Sequence, residues 1–190
     1  MTFETNRLLL RPWREEDAEA LYFYARDPEV GPPAGWQPHE SVEESLTIIR
    51  TVFSSPETYA ICFKGKGCVA GLADTLPAGS VIGCVGFHRN DLAEKEDEYE
   101  LGYWLGKPFW GQGIVPEAAE ELLRHAFEDL LMKRIWCGYY EGNFKSRRVI
   151  EKLGFVYHHT TKGLAVNSPD DIRTGHAFLL TKEKWIQNGR

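Results

Sequence analysis

Basic charge is what this chain most conspicuously lacks. Its 22 lysines and arginines face 28 aspartates and glutamates, for a formal net charge of −6. A general nucleic-acid binder would carry a basic domain, so that class is excluded; the acidic balance suits cationic partners such as amines. No apolar stretch is long enough to cross a bilayer. The N-terminus, Met1-Thr2-Phe3-Glu4, has no basic region followed by an apolar run, so neither a signal peptide nor a membrane partner is expected and a cytoplasmic location follows. Cysteine is sparse, and Cys62, Cys68, Cys84 and Cys137 include no close Cys-x-x-Cys pair; they read as buried, reduced thiols. His88, His125, His158 and His159 lack the spacing of a metal site, so no metal is expected. There is no internal repeat and no break in composition. With 43% hydrophobic residues, the 190-residue chain is expected to form one domain spanning 1–190.

What is present is an alternation of short strands and amphipathic helices. Leu8, Leu9 and Leu10 form a strand closed by Pro12, and Asp17 to Ala25 carries Ala18, Leu21, Tyr22 and Ala25 on one helical stripe. Residues 31–38, Gly-Pro-Pro-Ala-Gly-Trp-Gln-Pro, cannot be regular. Ser41 and Glu44 have capping-box spacing ahead of a second helix with Val42, Leu46, Ile49 and Phe53 on its apolar face. Strands are expected at Thr58–Lys64 and Ser80–His88, joined by a glycine-rich loop from Gly65 to Gly79, and again at Tyr99–Leu105, where Glu100, Gly102 and Trp104 share one face. Pro116–Leu131 reads as a helix with Pro116 in its first turn. A strand at Arg134–Tyr140, a helix from Phe144 to Leu153 capped by Gly154 with Phe155 beyond, and strands at Phe155–Thr161 and Ile172–Thr181 complete the chain. This order predicts an α/β or α+β fold around a mixed sheet.

Two segments carry chemistry. In Trp104-Leu105-Gly106-Lys107-Pro108-Phe109-Trp110-Gly111-Gln112-Gly113-Ile114-Val115-Pro116, a strand runs through a glycine loop into a helix. Glycine lets a ligand approach the backbone, and the free N–H groups of a helix start attract phosphate. The third glycine of a dinucleotide fingerprint and the Gly-Lys-Ser/Thr of a Walker loop are both missing. In the second segment, Asn143 follows a strand and Ser146 opens the next helix, which runs through Ile150 to Gly154.

Together these segments, with the opening Thr5-Asn6-Arg7-Leu8-Leu9-Leu10-Arg11-Pro12 and Asp17-Ala18, resemble the GNAT superfamily of N-acetyltransferases, and within it the RimJ/RimL type of ribosomal-protein N-terminal acetyltransferase. The resemblance implies a splayed, mixed central sheet flanked by helices, with acetyl-coenzyme A as co-substrate in the cleft between two middle strands. It implies that Trp110, Gly111, Gln112, Gly113, Ile114 and Val115 cradle the pyrophosphate. Tyr103, Trp104 and Leu105 would pair their backbone with the pantetheine arm, faced by Asn143 and Ser146. Trp110 stands where the superfamily usually has Arg or Gln, and Val115 where it usually has Gly or Ala. Seven residues after the asparagine, where many members carry a tyrosine acid, this chain has Ile150, which cannot donate a proton.

The expected reaction is therefore attack of a primary amine, from a peptide N-terminus or a small molecule, on the thioester. Glu100 is assigned as the base, the backbone N–H near Leu105 as the oxyanion donor, and Ser146 as partner of the departing thiolate. Trp36 and His39, in the irregular loop, either wall the acceptor pocket or serve the core. Glu117 is expected to point away from the phosphates. A small-molecule acetyltransferase and a non-catalytic acyl-coenzyme A sensor are the alternatives, and a homodimer is left open by the sequence.

Overall fold

The alternating apolar runs assemble into one eight-stranded sheet. In this computed structural model, which describes residues 1–65, 76–90 and 92–189, the strands are β1 (Phe3–Glu4), β2 (Leu8–Pro12), β3 (Thr58–Phe63), β4 (Val81–His88), β5 (Glu98–Leu105), β6 (Arg134–Tyr140), β7 (Val156–Ala165) and β8 (Ile172–Thr181). Their order is β1-β2-β3-β4-β5-β6-β8-β7. Every neighbouring pair is antiparallel except β5 and β6, which are parallel. The mixed architecture matches the expectation from sequence. Cys68 and most of the Gly65–Gly79 stretch lie outside the described residues.

The one parallel pairing is short. β5 and β6 are in register only at Glu98↔Arg134, Tyr99↔Ile135 and Glu100↔Trp136. Beyond Glu100, β5 stays bonded to β4 as far as Leu105, while β6 stays bonded to β8 as far as Tyr140. The sheet therefore splits into a V that opens toward the C-terminal ends of both strands.

Helices cover the two faces. α1 (Ala18–Ala25) and α2 (Val42–Thr51) pack against each other, and α1 also packs on β4. α3 (Ile114–Arg124) crosses β2, β4 and β5, and α4 (Phe144–Lys152) lies on β6 beside α3. The Ser41 hydroxyl caps α2 by accepting from Glu44 N at 3.0 Å. The return arm of the box reaches one residue further back than the spacing suggests, from Glu40 N to the Glu44 carboxylate at 2.6 Å. Gly154, at φ 85°, ends α4, and Phe155 N donates to Ile150 O, which is the expected glycine cap.

α3 departs from expectation. The helix read as Pro116–Leu131 stops at Arg124 and continues as a wide turn over His125–Asp129, closed by Leu130 N donating to His125 O at 3.0 Å. The extra residue in that turn lets His125, Ala126 and Phe127 all face inward. His125 is held by Asp129 at 2.8 Å and Glu57 at 3.1 Å. β1 and a final helix, α5 (Lys182–Gln187), add to the sequence reading; Trp185 of α5 packs against Phe127.

The core runs through both halves: Leu8, Leu10, Ile61, Phe63, Ile82, Phe87, Leu101, Phe109, Leu122 and Phe127 are fully buried, each such side chain contributing about 1.5–3 kcal/mol on leaving water. Arg11 forms a bidentate pair with Asp17 at 2.7 Å, fixing β2 to the start of α1. Burial pushes the Cys62 thiol up to about 11 and that of Cys84 up to about 12, so both stay protonated and inert. Among the described residues, no helix is long and apolar enough to cross a membrane.

Candidate active site

The direction of each peptide group in β5 decides what can face the V. Gly106 N donates to Ile82 O at 2.8 Å, and the β4–β5 register runs unbroken from there. In such a ladder the even-numbered residues of β5 exchange hydrogen bonds with β4, while the odd-numbered ones point the other way. The backbone groups of Tyr103 and Leu105 thus face the gap, and those of Trp104 face Cys84. This corrects the expected backbone role of Trp104. Its side chain is instead buried near Trp13 and Trp36, at ring-centre distances of 6.2 and 6.1 Å, and its indole N–H has no partner among the described residues.

Glu100 stands at the vertex as the last paired residue of β5. Its carboxylate, 15% exposed, accepts from Asn90 Nδ2 and lies 3.9 Å from His88 Nε2. Gly102 follows it on the same face and leaves room for the His88 ring, which any side chain there would strike. Across the V, Gly138 of β6 leaves the approach to Glu100 open.

Leu105 is five residues further along an extended strand, about 17 Å from Glu100 at roughly 3.3 Å per residue. The two cannot serve the same reacting carbonyl, which corrects the pairing of Glu100 as base with Leu105 as oxyanion donor. The pairing of Glu100 with Trp136 uses the Leu101 N–H, so the nearest outward amide left open beyond Glu100 belongs to Tyr103. The Leu105 carbonyl accepts from the Trp110 indole at 2.7 Å, so Trp110 lies back along the end of β5 with Lys145 of α4 over its ring at 3.8 Å.

The glycine loop sits at the mouth of the V. Gly111 and Gly113 have φ of 76° and 72°, a left-handed conformation that side chains oppose. Among the described residues, nothing comes within 4 Å of a Cβ position at Gly111, and near Gly113 only Arg7 Nη2 does, at 3.7 Å. Gly113 is the N-cap of α3 and supplies no side-chain acceptor to Ile114 and Val115. A backbone cradle with no side chains in the way fits a pyrophosphate group. Gln112 contributes its carbonyl to Arg7 Nη1 at 3.0 Å. Glu117 turns toward the segment between β1 and β2, accepting from the Thr5 hydroxyl, Arg7 N and Arg7 Nε at 2.6–2.8 Å. Burial opposes its ionisation, but these donors outweigh that and hold its carboxyl below the usual range.

On the α4 side, Tyr103 reaches across to Ser146, phenol oxygen to Oγ at 2.8 Å. Burial raises the Tyr103 phenol well above its ordinary value, so it stays protonated. Asn143 caps α4 by accepting from Ser146 N at 3.1 Å, and its amide donates to Pro33 O at 3.0 Å. Ile150 is fully buried beneath. Trp36 is half-buried, whereas His39 is inside: its Nδ1 shares a hydrogen bond with the buried Ser45 at 2.8 Å, and burial lowers its pKa. His39 therefore braces the loop from within rather than lining a pocket wall.

The structure thus brings Glu100, Tyr103 and Ser146 to the V, places Leu105 and residues 110–115 at its mouth, and sets Trp36 beside the Glu100 face. Sequence reasoning missed Tyr103 as a side chain, along with Asn90 and Gly138 beside Glu100. Only Tyr103 had a local signal, its place one step out of phase with Glu100 in the alternation.

The profile of the family described as the acetyltransferase (GNAT) domain matches residues 7–156. The chain is 29% identical over 152 residues to the "Uncharacterized N-acetyltransferase YoaA" of Bacillus subtilis (strain 168), covering 80% of this chain and 81% of that protein. It is 38% identical over 121 residues to the "Putative ribosomal N-acetyltransferase YdaF" of the same organism, covering 63% and 62% respectively. The crystal structure of a GNAT-family acetyltransferase from Bacillus anthracis superimposes with a TM-score of 0.79 at 21% identity, over 96% of this chain and 99% of that one. The last likeness concerns the fold alone.

Proposed function

Because the chain belongs to the acetyltransferase (GNAT) domain family and is an N-acetyltransferase, we propose that it moves the acetyl group of acetyl-coenzyme A to a primary amine by direct attack in a ternary complex, with a protein N-terminal α-amine as acceptor. The observation that carries this reading is the V itself: β5 and β6 part immediately after Glu100, leaving outward amides on one arm, the Ser146 hydroxyl beside the other and a glycine loop at the mouth.

Acetyl-coenzyme A supplies the activated thioester. The residues of the chain do the rest. Amides of Gly111–Val115 hold the pyrophosphate, with Trp110 and Gln112 framing the loop, and the outward groups of Tyr103 and the N–H of Leu105 follow the pantetheine arm back toward Glu100. Asn143 and Ser146 border that arm from α4. Glu100 takes the proton the amine loses, directly or through water. The N–H of Tyr103 meets the charge that develops on the carbonyl oxygen, a donor worth roughly 2.7–4 kcal/mol. Ser146, oriented by the protonated Tyr103 phenol, meets the departing sulfur as the C–S bond breaks and the C–N bond forms. No step calls for a metal.

An α-amine, with an unperturbed pKa of about 7.7–8.0, offers a larger neutral fraction near neutrality than a lysine amine at about 10.4. The name of the relative YdaF and the RimJ/RimL-like motifs point the same way. We further infer that residues 1–190 act as one domain in the cytoplasm. A half-buried carboxylate at the vertex argues for catalysis over a non-catalytic sensor.

The test is thiol release from acetyl-coenzyme A with three sets of acceptors: peptides with free N-termini, small alkyl amines, and N-blocked lysine peptides. Release with the first set supports the reading. Release with small amines alone shifts it to a small-molecule acceptor, and acetylation confined to lysine side chains or hydroxyls overturns it.

A further inference from the structure

The irregular loop between α1 and α2 does not stay with the half of the sheet it starts from. Pro32–Ala34 form a single tight turn followed by Gly35 at φ 94°. Two of its carbonyls are bound by residues from the far arm of the V: Pro33 O accepts from Asn143 at the start of α4 at 3.0 Å, and Pro32 O accepts from Arg173 Nη1 of β8 at 2.5 Å. Gly35 rests on the Tyr140 ring and Val166, so closely that a Cβ would lie 2.8 Å from Tyr140 Cε2. Trp36 returns the chain to the near arm beside Trp104. The loop is thus a strap across the V on the Glu100 face, where β5 and β6 no longer bond to each other.

Arg173 is built for that contact. Asp171 grips its guanidinium at two points, Nε at 2.7 Å and Nη2 at 2.6 Å, and the Tyr140 ring lies beneath it at 5.2 Å. With one edge of the fork committed to Asp171, Nη1 is fixed toward Pro32.

We propose that Arg173 is a positioning residue for acceptor binding: it holds the 32–35 strap across the V and so fixes Trp36 and the entrance to Glu100. Arg173 touches neither Glu100 nor the glycine loop, so its loss acts through the strap. The inference rests on the acceptor entering past residues 31–39.

The experiment compares wild type with Arg173→Ala, Arg173→Lys and Asp171→Asn by amide hydrogen exchange and by steady-state kinetics. The acceptor probes are a peptide with a free N-terminal alanine and a linear diamine. In Arg173→Ala, exchange at Ala34, Gly35 and Trp36 is expected to quicken, and acceptor KM to rise about tenfold, with kcat and coenzyme A affinity within about twofold. Arg173→Lys, which keeps one donor to Pro32, is expected to recover part of the KM, and Asp171→Asn to give a smaller change in the same direction. Unaltered exchange at residues 34–36 in Arg173→Ala overturns the strap. Faster exchange with unaltered acceptor KM, or an equal loss of coenzyme A affinity, overturns its role in acceptor binding. If wild type acetylates neither probe, the failure falls on the acceptor reading above, and exchange still decides the strap.

Discussion

A methyl group placed on Gly138 of β6 would lie 3.6 Å from Oε1 of Glu100 on β5. The two residues face each other where the strands part, so the open side of the carboxylate is kept by a glycine on the opposite arm. At that distance a methyl is in ordinary contact, while a branched side chain would cover the carboxylate. Gly138→Ala is expected to melt near wild type. Gly138→Val is expected to lower kcat/KM for the acceptor by about tenfold or more while coenzyme A affinity holds within about twofold, as titration calorimetry and acceptor kinetics will show.

Glu100→Gln keeps the volume and the Asn90 contact but removes the proton acceptor. Turnover is expected to fall by about 10²–10⁴, with cofactor affinity little changed. Normal turnover in this variant would leave solvent as the base and cleft geometry as the source of catalysis.

At Gly113 the backbone itself is the binding surface. Gly113→Leu forces a side chain into a left-handed conformation, at a cost of about 1–2 kcal/mol, and places it where the cradle is open. The folded variant, verified by circular dichroism, should bind coenzyme A at least about tenfold more weakly; equal affinity would move the pyrophosphate elsewhere.

Ser146→Ala and Tyr103→Phe remove the two ends of one hydrogen bond. Ser146→Ala should lower both turnover and cofactor affinity, by less than Glu100→Gln does. Tyr103→Phe should lower turnover modestly, and the double variant should lose no more than Ser146→Ala alone, because the phenol acts only through the serine. Additive losses in the cycle would show an independent role for Tyr103.

Acid should loosen the loop through His39. Its folded pKa lies below the unfolded value of 6.5 because burial disfavours the imidazolium. The stability it contributes is therefore present above that value and lost as pH falls through the folded pKa. Thermal melts between about pH 7.5 and 5 should show this decline, and His39→Gln should flatten it. A decline of the same steepness in the variant would assign it to the carboxylates instead.

Much of this architecture can be read from local pattern. The alternation over Tyr99–Leu105, the glycine cap at Gly154 and the strand–glycine loop–helix order each specify structure within a dozen residues. What could not be read depended on partners. Alternation says which face Trp104 occupies, but only the β4 register says which edge its amide joins. The spacing of Ala126, Phe127 and Leu130 suits an ordinary helix as well as the wide turn at His125, because the acid that favours the latter, Glu57, comes from another element. The strap is the extreme case: Asn143 and Arg173 meet it across 110 and 141 positions of chain, and nothing near Pro32 signals either.

The order β6-β8-β7 also sets a sequence for assembly. From β1 to β5 each strand pairs with the one before it, so each of those pairings has both partners as soon as the later strand exists. β7 cannot do the same, since its neighbour in the sheet is the strand that follows it, and β6 keeps one edge bare until β8 arrives between them. β8 also carries Arg173. One strand therefore both closes the sheet and fastens the strap, so the face around Glu100 is incomplete until β8 is in place and loses its cover if β8 peels away.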